Sequence, residues 1–223
     1  MVIAVDGPAG AGKSTIARRL ATRLGFTYID TGAMYRAVAL WALRLDVDPS
    51  DAHHMGPLAE ESDIRLEPSG AVLLNGEDVT AAIRTPEVSQ AASRVAVIPA
   101  VRRAMVGKQR AMGARTSVVM EGRDIGSVVF PHADLKVFLD ARPEERVRRR
   151  YAEDAGKGAA VTAEAVAAQI RERDARDSTR AEAPLVQAPD AVYLDSTPLT
   201  VDQVEEAILK LVRERISNGK DFS

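Results

Sequence analysis

Cysteine is absent from the 223 residues, which excludes disulfides, thiol nucleophiles and cysteine metal sites and fits a reducing compartment such as the cytoplasm. Neither charge is in strong excess, because 30 Lys and Arg stand against 32 Asp and Glu for a net charge of -2. This balance argues against a strongly basic nucleic-acid-binding protein. No apolar run approaches the ~20 residues that cross a bilayer, and no signal-peptide pattern opens the chain. We therefore expect a cytoplasmic protein that has neither nucleic acid nor a membrane as partner.

Hydrophobic residues make up 46% of the chain and charged residues 28%, which predicts a globular domain with a real core. Short apolar runs alternate with amphipathic stretches, the first of which has Ile16, Leu20 and Leu24 at helical spacing and a stop signal at Gly25. This alternation is typical of an α/β protein, in which helices flank a parallel sheet on both faces. The predicted strands of this five-stranded sheet cover residues 2–5, 26–29, 117–120, 135–139 and 191–194.

One stretch interrupts the alternation. Residues 64–67 and 71–74 form two short apolar runs joined by Pro68-Ser69-Gly70, and Asn75-Gly76 adds a second turn. These turn residues between alternating segments predict an antiparallel hairpin. A hairpin inside an α/β chain indicates an insertion, which we assign to about residues 56–92. Two helices are predicted elsewhere. The pattern of residues 34–45 predicts one, and Val204, Ile208 and Leu211 share one face of the last helix.

The strongest motif follows the first strand and matches G-x-x-x-x-G-K-[ST] in full, with an apolar strand before it and a helical pattern after it. Small residues let the backbone wrap a phosphate closely, and the helix N-terminus adds positive potential. Lys13 is expected to reach the β- and γ-phosphates, and Ser14 to bind Mg2+. The predicted ATP-binding residues are Gly7, Pro8, Ala9, Gly10, Ala11, Gly12, Lys13, Ser14 and Thr15.

Arginines cluster in two later segments, and three acidic or basic residues of the second segment (173, 177 and 180) share one helix face by spacing. A solvated, ion-paired surface is one interpretation. The alternative is a lid that closes over triphosphate, because the clusters flank a link of small residues at 155–160. The first cluster holds Arg142, Arg146, Arg148, Arg149 and Arg150, and the second holds Arg173, Arg176 and Arg180 with Asp174 and Asp177.

A charged tetrapeptide, Glu121-Gly122-Arg123-Asp124, ends the third predicted strand, where open α/β sheets place their ligands. Glu121 can hold Mg2+ through a water, Arg123 can hold an acceptor phosphate, and Asp124 can accept hydrogen bonds from an exocyclic amine. A simple charged turn is the alternative interpretation.

Taken together, these motifs resemble the bacterial cytidylate kinase family, the (d)CMP kinases of the nucleoside monophosphate kinase group of P-loop kinases. The resemblance covers nearly the whole chain, and Asp-Thr-Gly-Ala-Met-Tyr-Arg at 30–36 is far more specific than the phosphate loop. The stretches that carry it are 6–15, 30–36, 84–88, 121–126, 129–131, 138–141 and 173–177.

The resemblance implies a three-layer P-loop kinase fold and reversible transfer of the γ-phosphoryl group of MgATP to CMP or dCMP by a monomeric enzyme. It also implies a single domain over 1–223: a core of 1–30, 115–145 and 185–223, a monophosphate-binding region of 31–114 that contains the inserted hairpin, and a helical lid of about 146–184. No protein base is needed, because the acceptor is already a phosphate oxygen.

Residue roles also follow from the resemblance. The implied substrate-binding residues are Thr31, Arg36, Ser93, Arg102, Arg123, Asp124, Asp177 and Arg180, and the implied catalytic residues are Lys13, Arg123, Arg173, Arg149 and Arg150. The chain departs from many members by having Glu121 in place of Asp and Thr31 in place of Ser. Ser178 and Thr179 replace more polar or basic residues, so the lid helix is expected to grip nucleotide less tightly.

Two rival functions stay open at the level of sequence. One is a P-loop kinase for another monophosphate or a small hydroxylated metabolite, and the other is a nucleotide-dependent switch. The histidines, at 53, 54 and 132, show no metal-ligand spacing. Trp41 is expected to pack in a core, and Tyr151 is either a surface residue or an adenine-stacking one.

Overall fold

The computed structural model describes residues 1–156 and 161–218. The strands are β1 (Val2–Asp6), β2 (Thr27–Asp30), β3 (Ile64–Leu66), β4 (Val72–Leu74), β5 (Glu77–Asp78), β6 (Val118–Glu121), β7 (Leu135–Asp140) and β8 (Val192–Asp195). The helices are α1 (Lys13–Leu24), α2 (Thr31–Arg44), α3 (Ala52–Glu61), α4 (Pro86–Val95), α5 (Pro99–Gly113), α6 (Pro143–Gly156), α7 (Ala163–Thr179) and α8 (Val201–Asn218). A short 3-10 turn covers Ala82–Arg84, and one π-helical turn covers Ile125–Val129.

The main sheet has five strands in the order β2-β6-β1-β7-β8, which confirms the predicted α/β fold. β1 pairs in parallel with β6 on one side and β7 on the other, so that Val5 lies opposite both Glu121 and Val137. A strand between two parallel neighbours is covered on both faces, and four of the five β1 residues are accordingly buried. The carboxyl ends of β1, β6 and β7 therefore lie side by side at one edge of the sheet.

The chain divides into two compact units. The first unit combines Met1–Phe26 with the chain from Ser117 onward. In this unit α1 packs against β1, β6 and α8, and α1 ends where Gly25 adopts the left-handed conformation that a helix C-terminus favours. Its core includes Ile3, Val5, Leu20, Val119, Leu139 and Ile208.

The second unit is Thr27–Thr116 and has its own core. Helices α2, α4 and α5 pack together, and Trp41 packs against this core as predicted. The predicted hairpin is confirmed as β3 and β4, and β5 extends it to a three-stranded antiparallel sheet after the turn at Asn75-Gly76. Both turn residues have positive φ, 51° and 85°. The expected insertion bounds, 56 and 92, fall inside α3 and α4.

Several element ends differ from the sequence-based prediction, and β6 and β8 each begin and end one residue later than expected. β2 lies one residue later than expected, and α2 begins at Thr31 instead of residue 34 because Asp30 caps it, with Oδ1 accepting the Ala33 N–H at 2.9 Å. α7 ends at Thr179, since Arg180 has extended backbone at the C-cap. Residues 157–160 of the small-residue link that we expected at 155–160 lie outside the described residues, and residues 155 and 156 belong to α6.

No helix in the described ranges is long and apolar enough to span a membrane.

Candidate active site

The phosphate loop starts where β1 ends and is fixed against the neighbouring strand. Gly7 has φ of 147°, and a Cβ placed on it would lie 2.0 Å from the backbone oxygen of Leu139 in β7. Only glycine can therefore occupy this position. The loop ends at Gly12, which leads into α1 without any side-chain cap, and the first turn of α1 has no acidic residue. The first N–H groups of α1 are thus available to an anion.

Lys13 lies buried at the start of α1, and its Nζ donates a hydrogen bond to the backbone oxygen of Pro8 at 2.7 Å. Burial and, after it, the nearby positive charge of Arg123 lower the pKa of Lys13 to about 7, while the Glu121 carboxylate opposes the shift. A phosphate bound at the loop would add negative charge beside this ammonium group and so stabilise its protonated form.

Asp6, which sequence reasoning did not single out, fastens the loop to the segment after Glu121-Gly122-Arg123-Asp124. Its carboxylate accepts the backbone N–H groups of Ile125 and Gly126, at 2.8 and 2.7 Å, in the π-helical turn that follows Asp124. Burial raises the pKa of Asp6 to about 6, although the two backbone hydrogen bonds act in the opposite direction. Such π turns are frequent at functional sites.

Four of the predicted site residues form one buried charge network. Arg123 donates from Nε to Asp177 Oδ2 at 2.9 Å, and Arg180 lies within 3.7 Å of Asp177 and 3.5 Å of Asp124. Burial acts to raise the pKa of Asp177, but the Arg123 charge and two further arginines outweigh it and hold that pKa below its usual value. Arg173 is one of these two, and its charge also lowers the pKa of Lys13. The network thus brings α7 and the end of β6 together.

Two arginines of α6 contact the phosphate loop directly. Arg146 donates to the Ala9 oxygen at 3.0 Å and pairs with Asp174 of α7. Arg149 donates to the Ala11 oxygen at 3.3 Å and to both Oγ and the backbone oxygen of Ser196, at 2.9 and 2.8 Å. The loop backbone is therefore held by α6 as well as by the sheet.

The other α6 arginines have local partners. Arg148 pairs with Glu145, and Arg150 pairs with Glu153 and Asp154, all within four residues on the same helix. The structure thus places Arg149 at the loop but does not place Arg150 there. For Arg148 the surface interpretation holds, since its side chain is 70% exposed.

The two α7 residues that depart from the pattern expected of the family hydrogen-bond within their own helix. Ser178 Oγ donates to the backbone oxygen of Asp174, and Thr179 Oγ1 donates to that of Ala175, both at 2.8 Å. Hydroxyls that bond back to their own helix do not reach outward. Tyr151, on α6, is 40% exposed.

The donor groups near the loop suit Mg2+ held mainly by a nucleotide. Across residues 1–156 and 161–218, no three acidic or histidine side chains are arranged to hold a metal ion. Mg2+ normally takes one or two protein oxygens and completes its shell with phosphates and waters. Ser14 lies exposed in the first turn of α1, and Glu121 is buried at the end of β6. Their hydroxyl and carboxylate oxygens are of the kind that binds Mg2+. His54 instead pairs with Asp51 at 2.6 Å in an exposed position.

The second unit holds the remaining predicted site residues. Thr31 is buried as the first residue of α2, and Arg36 donates from Nη2 to Asp30 Oδ2 at 3.0 Å, so these residues cluster at one helix end. Arg102 is buried on α5, donates to the Ala96 oxygen at 3.1 Å and lies 5.7 Å from the ring centre of Tyr35. Ser93 is half-buried on α4.

Asp6, Asp174 and Ser196 are the site residues that sequence reasoning left without a role. One signal was available for Asp6, which directly precedes the loop at the carboxyl end of a strand. Asp174 lies inside the quoted stretch 173–177 but off the face that 173, 177 and 180 share. Nothing in the local pattern marks Ser196.

Known proteins resemble this chain in sequence and in fold. A sequence model of one protein family, described as Cytidylate kinase, matches residues 3–214. The chain is 68% identical to the cytidylate kinase of Solibacter usitatus, over 100% of this chain and 97% of that protein. It is 50% identical to the cytidylate kinase of Syntrophotalea carbinolica, over 96% and 93%. A solved gluconokinase from Sinorhizobium meliloti 1021 shares the fold, with a TM-score of 0.51 at 14% identity over 100% of this chain and 97% of that one.

Proposed function

The chain belongs to the cytidylate kinase family, as its motifs predicted, and from this membership we propose that it transfers the γ-phosphoryl group of MgATP to CMP or dCMP. Family membership makes the chain an enzyme whose reaction is phosphoryl transfer to CMP. ATP as the donor, Mg2+ as the cofactor and dCMP as a second acceptor are proposed in addition. The products are ADP with CDP or dCDP, and the reaction runs in both directions.

One observation supports the donor half of this reaction most directly. Lys13 is a buried ammonium group on a phosphate loop, and the charges closest to it include Glu121, Arg123 and Arg173. Phosphoryl transfer needs charge neutralisation and alignment more than covalent chemistry. A buried cation beside helix N–H groups that have no side-chain cap suits the binding of a polyphosphate.

In the proposed mechanism the loop from Gly7 to Thr15 binds the ATP phosphates through backbone N–H groups, and Lys13 neutralises the β- and γ-phosphates. Ser14 and, through a water, Glu121 would hold Mg2+. Mg2+ held there would neutralise part of the phosphate charge. The loop N–H groups orient the phosphates, and the side chains align the acceptor oxygen with the γ-phosphorus and exclude water.

The acceptor residues are proposed from the family resemblance. In the first unit, Arg123 takes the acceptor phosphate, Asp124 accepts from the cytosine amino group, and Asp177 and Arg180 take the sugar. In the second unit, Thr31 and Arg36 take the phosphate end, with Ser93 and Arg102 reading the base. Arg149, Arg150 and Arg173 are proposed to stabilise the transferring group.

We also propose that the enzyme works as a monomer in the cytoplasm, on small molecules rather than nucleic acid. The domain assignment of core, monophosphate-binding region (31–114) and lid (146–184) is proposed with it. Closure of the lid excludes water and so suppresses ATP hydrolysis.

A coupled ADP-release assay with ATP, Mg2+ and each of CMP, dCMP, UMP, AMP and GMP tests the proposed function. CMP and dCMP should be the preferred acceptors. Success with UMP or AMP and failure with both cytidine nucleotides would indicate a kinase for another monophosphate. Slow ADP release that CMP does not accelerate would instead favour a nucleotide-dependent switch.

Asp124→Ala tests base recognition within the same assay. This variant should raise KM for CMP at least ~tenfold and leave ATP binding within about twofold, because the carboxylate is proposed to contact only the acceptor. Glu172→Ala, which removes an exposed carboxylate from α7, is the matched control. Equal losses for CMP and ATP would show that Asp124 serves the fold instead.

A further inference from the structure

The peptide unit between Pro8 and Ala9, in the phosphate loop, is held on both of its edges. Its carbonyl oxygen accepts from Lys13 Nζ at 2.7 Å, and its N–H donates to Asp174 Oδ1 at 3.1 Å. A trans peptide is planar, with C=O and N–H pointing in opposite directions. Lys13 and Asp174 therefore hydrogen-bond to opposite edges of one rigid peptide plane.

The second oxygen of Asp174 is also used. Oδ2 pairs with Nη1 of Arg146, and the same Nη1 donates to the Ala9 oxygen at 3.0 Å, which belongs to the next peptide unit. Arg146 Nε donates in turn to the Ala141 oxygen at 3.1 Å. One carboxylate from α7 thus orients a loop N–H directly and the following loop carbonyl through Arg146.

This clamp differs from a surface ion pair. The Arg146 and Asp174 side chains are only 11% and 19% exposed. A Cβ on Gly10 would lie 2.8 Å from the backbone oxygen of Arg146, so the loop backbone and the α6 backbone are in direct contact there. Charge-assisted hydrogen bonds in such a partly dry position are stronger and better oriented than exposed pairs.

We propose that Asp174 is a positioning residue for Lys13, and that it acts by fixing the Pro8–Ala9 peptide plane whose carbonyl holds the lysine ammonium group. Without Asp174, the Ala9 N–H loses this acceptor, and the peptide is no longer held on both edges and can rotate. Rotation carries the carbonyl away from Lys13 and turns an oxygen dipole toward the place where phosphate oxygens bind. The loop N–H groups then lose the inward orientation on which anion binding depends.

The position of Asp174 on α7 gives the clamp a second effect. Its sequence neighbour Arg173 lowers the pKa of Lys13 by its charge, and Asp177, one turn later, binds Arg123. The turn of α7 that fixes the loop is therefore the turn that carries two charged groups toward it. Asp174 sets the distance between the loop and these charges.

Asp174→Ala and Asp174→Asn, with Glu172→Ala as the matched control two residues away, test this role, which rests on the proposed CMP kinase reaction. At saturating ATP and CMP, Asp174→Ala should lower kcat about thirtyfold and leave KM for CMP within about twofold, because misplacing a catalytic group by ~1 Å can cost about a hundredfold. Asp174→Asn keeps an oxygen acceptor for the Ala9 N–H, so it should recover kcat to within about fivefold of the wild type.

The contrary results are distinct. Equal kcat for Asp174→Ala and Glu172→Ala overturns the inference, and so does a loss that Asp174→Asn does not recover. If Asp174→Ala does not fold, Asp174→Glu decides, since it keeps the charge but shifts the carboxylate by one methylene; at least a ~fivefold loss of kcat is expected, and no loss overturns the role.

Failure of the proposed reaction itself would look different, because wild type and Glu172→Ala would then also release no ADP with CMP. In that case the affinity for a fluorescent ATP analogue, measured without any acceptor, tests the role of Asp174. Asp174→Ala should weaken this binding about tenfold relative to Glu172→Ala. Equal binding by the two variants overturns the inference whatever the acceptor is.

Discussion

Helix α6 uses its arginines in two different ways. Arg146 and Arg149 reach backbone oxygens of the phosphate loop that are 137 and 138 residues away along the chain, and Arg149 also pairs with Glu145 on its own helix. Arg148 and Arg150 lie on the same helix and in the same run of charge, but their ion pairs are with carboxylates three or four residues away. The α6 arginines look alike in the sequence, but they form two sets with different contacts.

The exposure of each side chain explains why removing Arg146 should matter more than removing Arg148. The Arg146 side chain is 11% exposed and the Arg148 side chain 70%. Local pairs on a solvated helix face are screened by water and salt and cost side-chain entropy, so losing one changes little. Losing a buried cation leaves its partners without their hydrogen bonds, which water cannot replace there. A contact with the phosphate loop therefore distinguishes Arg146 and Arg149 from Arg148 and Arg150.

The largest effect is expected at the most buried cation of the loop. Lys13→Met should lower kcat about a thousandfold, because it removes the charge that neutralises the transferring phosphoryl group. Steady-state ADP release measures this, with Lys210→Met on the exposed face of α8 as the control that keeps activity within about twofold. Activity of Lys13→Met within tenfold of the wild type would break the link between burial and catalysis.

Arg149→Ala should have the next largest effect, a loss of kcat of about tenfold to a hundredfold, because the side chain ties the Ala11 oxygen to Ser196. Arg149→Lys should recover little, since an ammonium group cannot reproduce the planar fork that makes both contacts. The same assay measures both variants. Full recovery by lysine would mean that charge alone matters at this position.

The lowered pKa of Lys13 predicts a pH dependence of stability. Between pH 7 and about 10 the unfolded chain holds the Lys13 proton and the folded chain does not, so the free energy of unfolding should rise with pH on account of this group. The rise is at most about 1.4 kcal/mol per pH unit and vanishes below pH 7. Denaturant unfolding of wild type and Lys13→Met at several pH values measures it as a difference. Parallel curves would show that folding does not lower the pKa of Lys13.

The smallest effects are expected at the two α6 arginines whose ion pairs are local. Arg148→Ala should leave kcat within about twofold, since the pair with Glu145 is lost and the Arg148 side chain is 70% exposed. Arg150 shares the helix face of Arg146 by its i, i+4 spacing, and we expect Arg150→Ala to lower kcat about fivefold, because the proposed lid closure would move the residue away from its local partners. Single-variant kinetics at matched ATP concentrations compare the pair. Equal values for the two would assign Arg150 to the surface set.

Local patterns predicted the parts of the fold that depend on neighbouring residues. The loop, the stop at Gly25 and the Asn75-Gly76 turn follow from backbone requirements within a few residues. The start of α2 was missed by three residues because its signal is a single capping side chain, Asp30, and not the apolar pattern.

Long-range partners explain what the sequence did not show of the site. Asp6 meets the π turn 119 residues later, and Asp174 meets Ala9 across 165 residues. A pattern within one helix or strand carries no information about such pairs, so Asp174 looked like one more charge on a lid helix. The charged residues at strand ends were predictable as candidates, since parallel strands bring their carboxyl ends to one edge.

The close approach of Gly7 to Leu139 has a consequence for mutational tolerance. With 2.0 Å between a hypothetical methyl carbon and a main-chain oxygen, every side chain other than hydrogen is excluded at position 7. A saturation library, selected for growth that depends on this enzyme, should therefore keep only glycine codons there. The obstacle is main chain, so no side-chain change at position 139 should rescue a substitution at position 7, and position 139 is limited only by packing in the core.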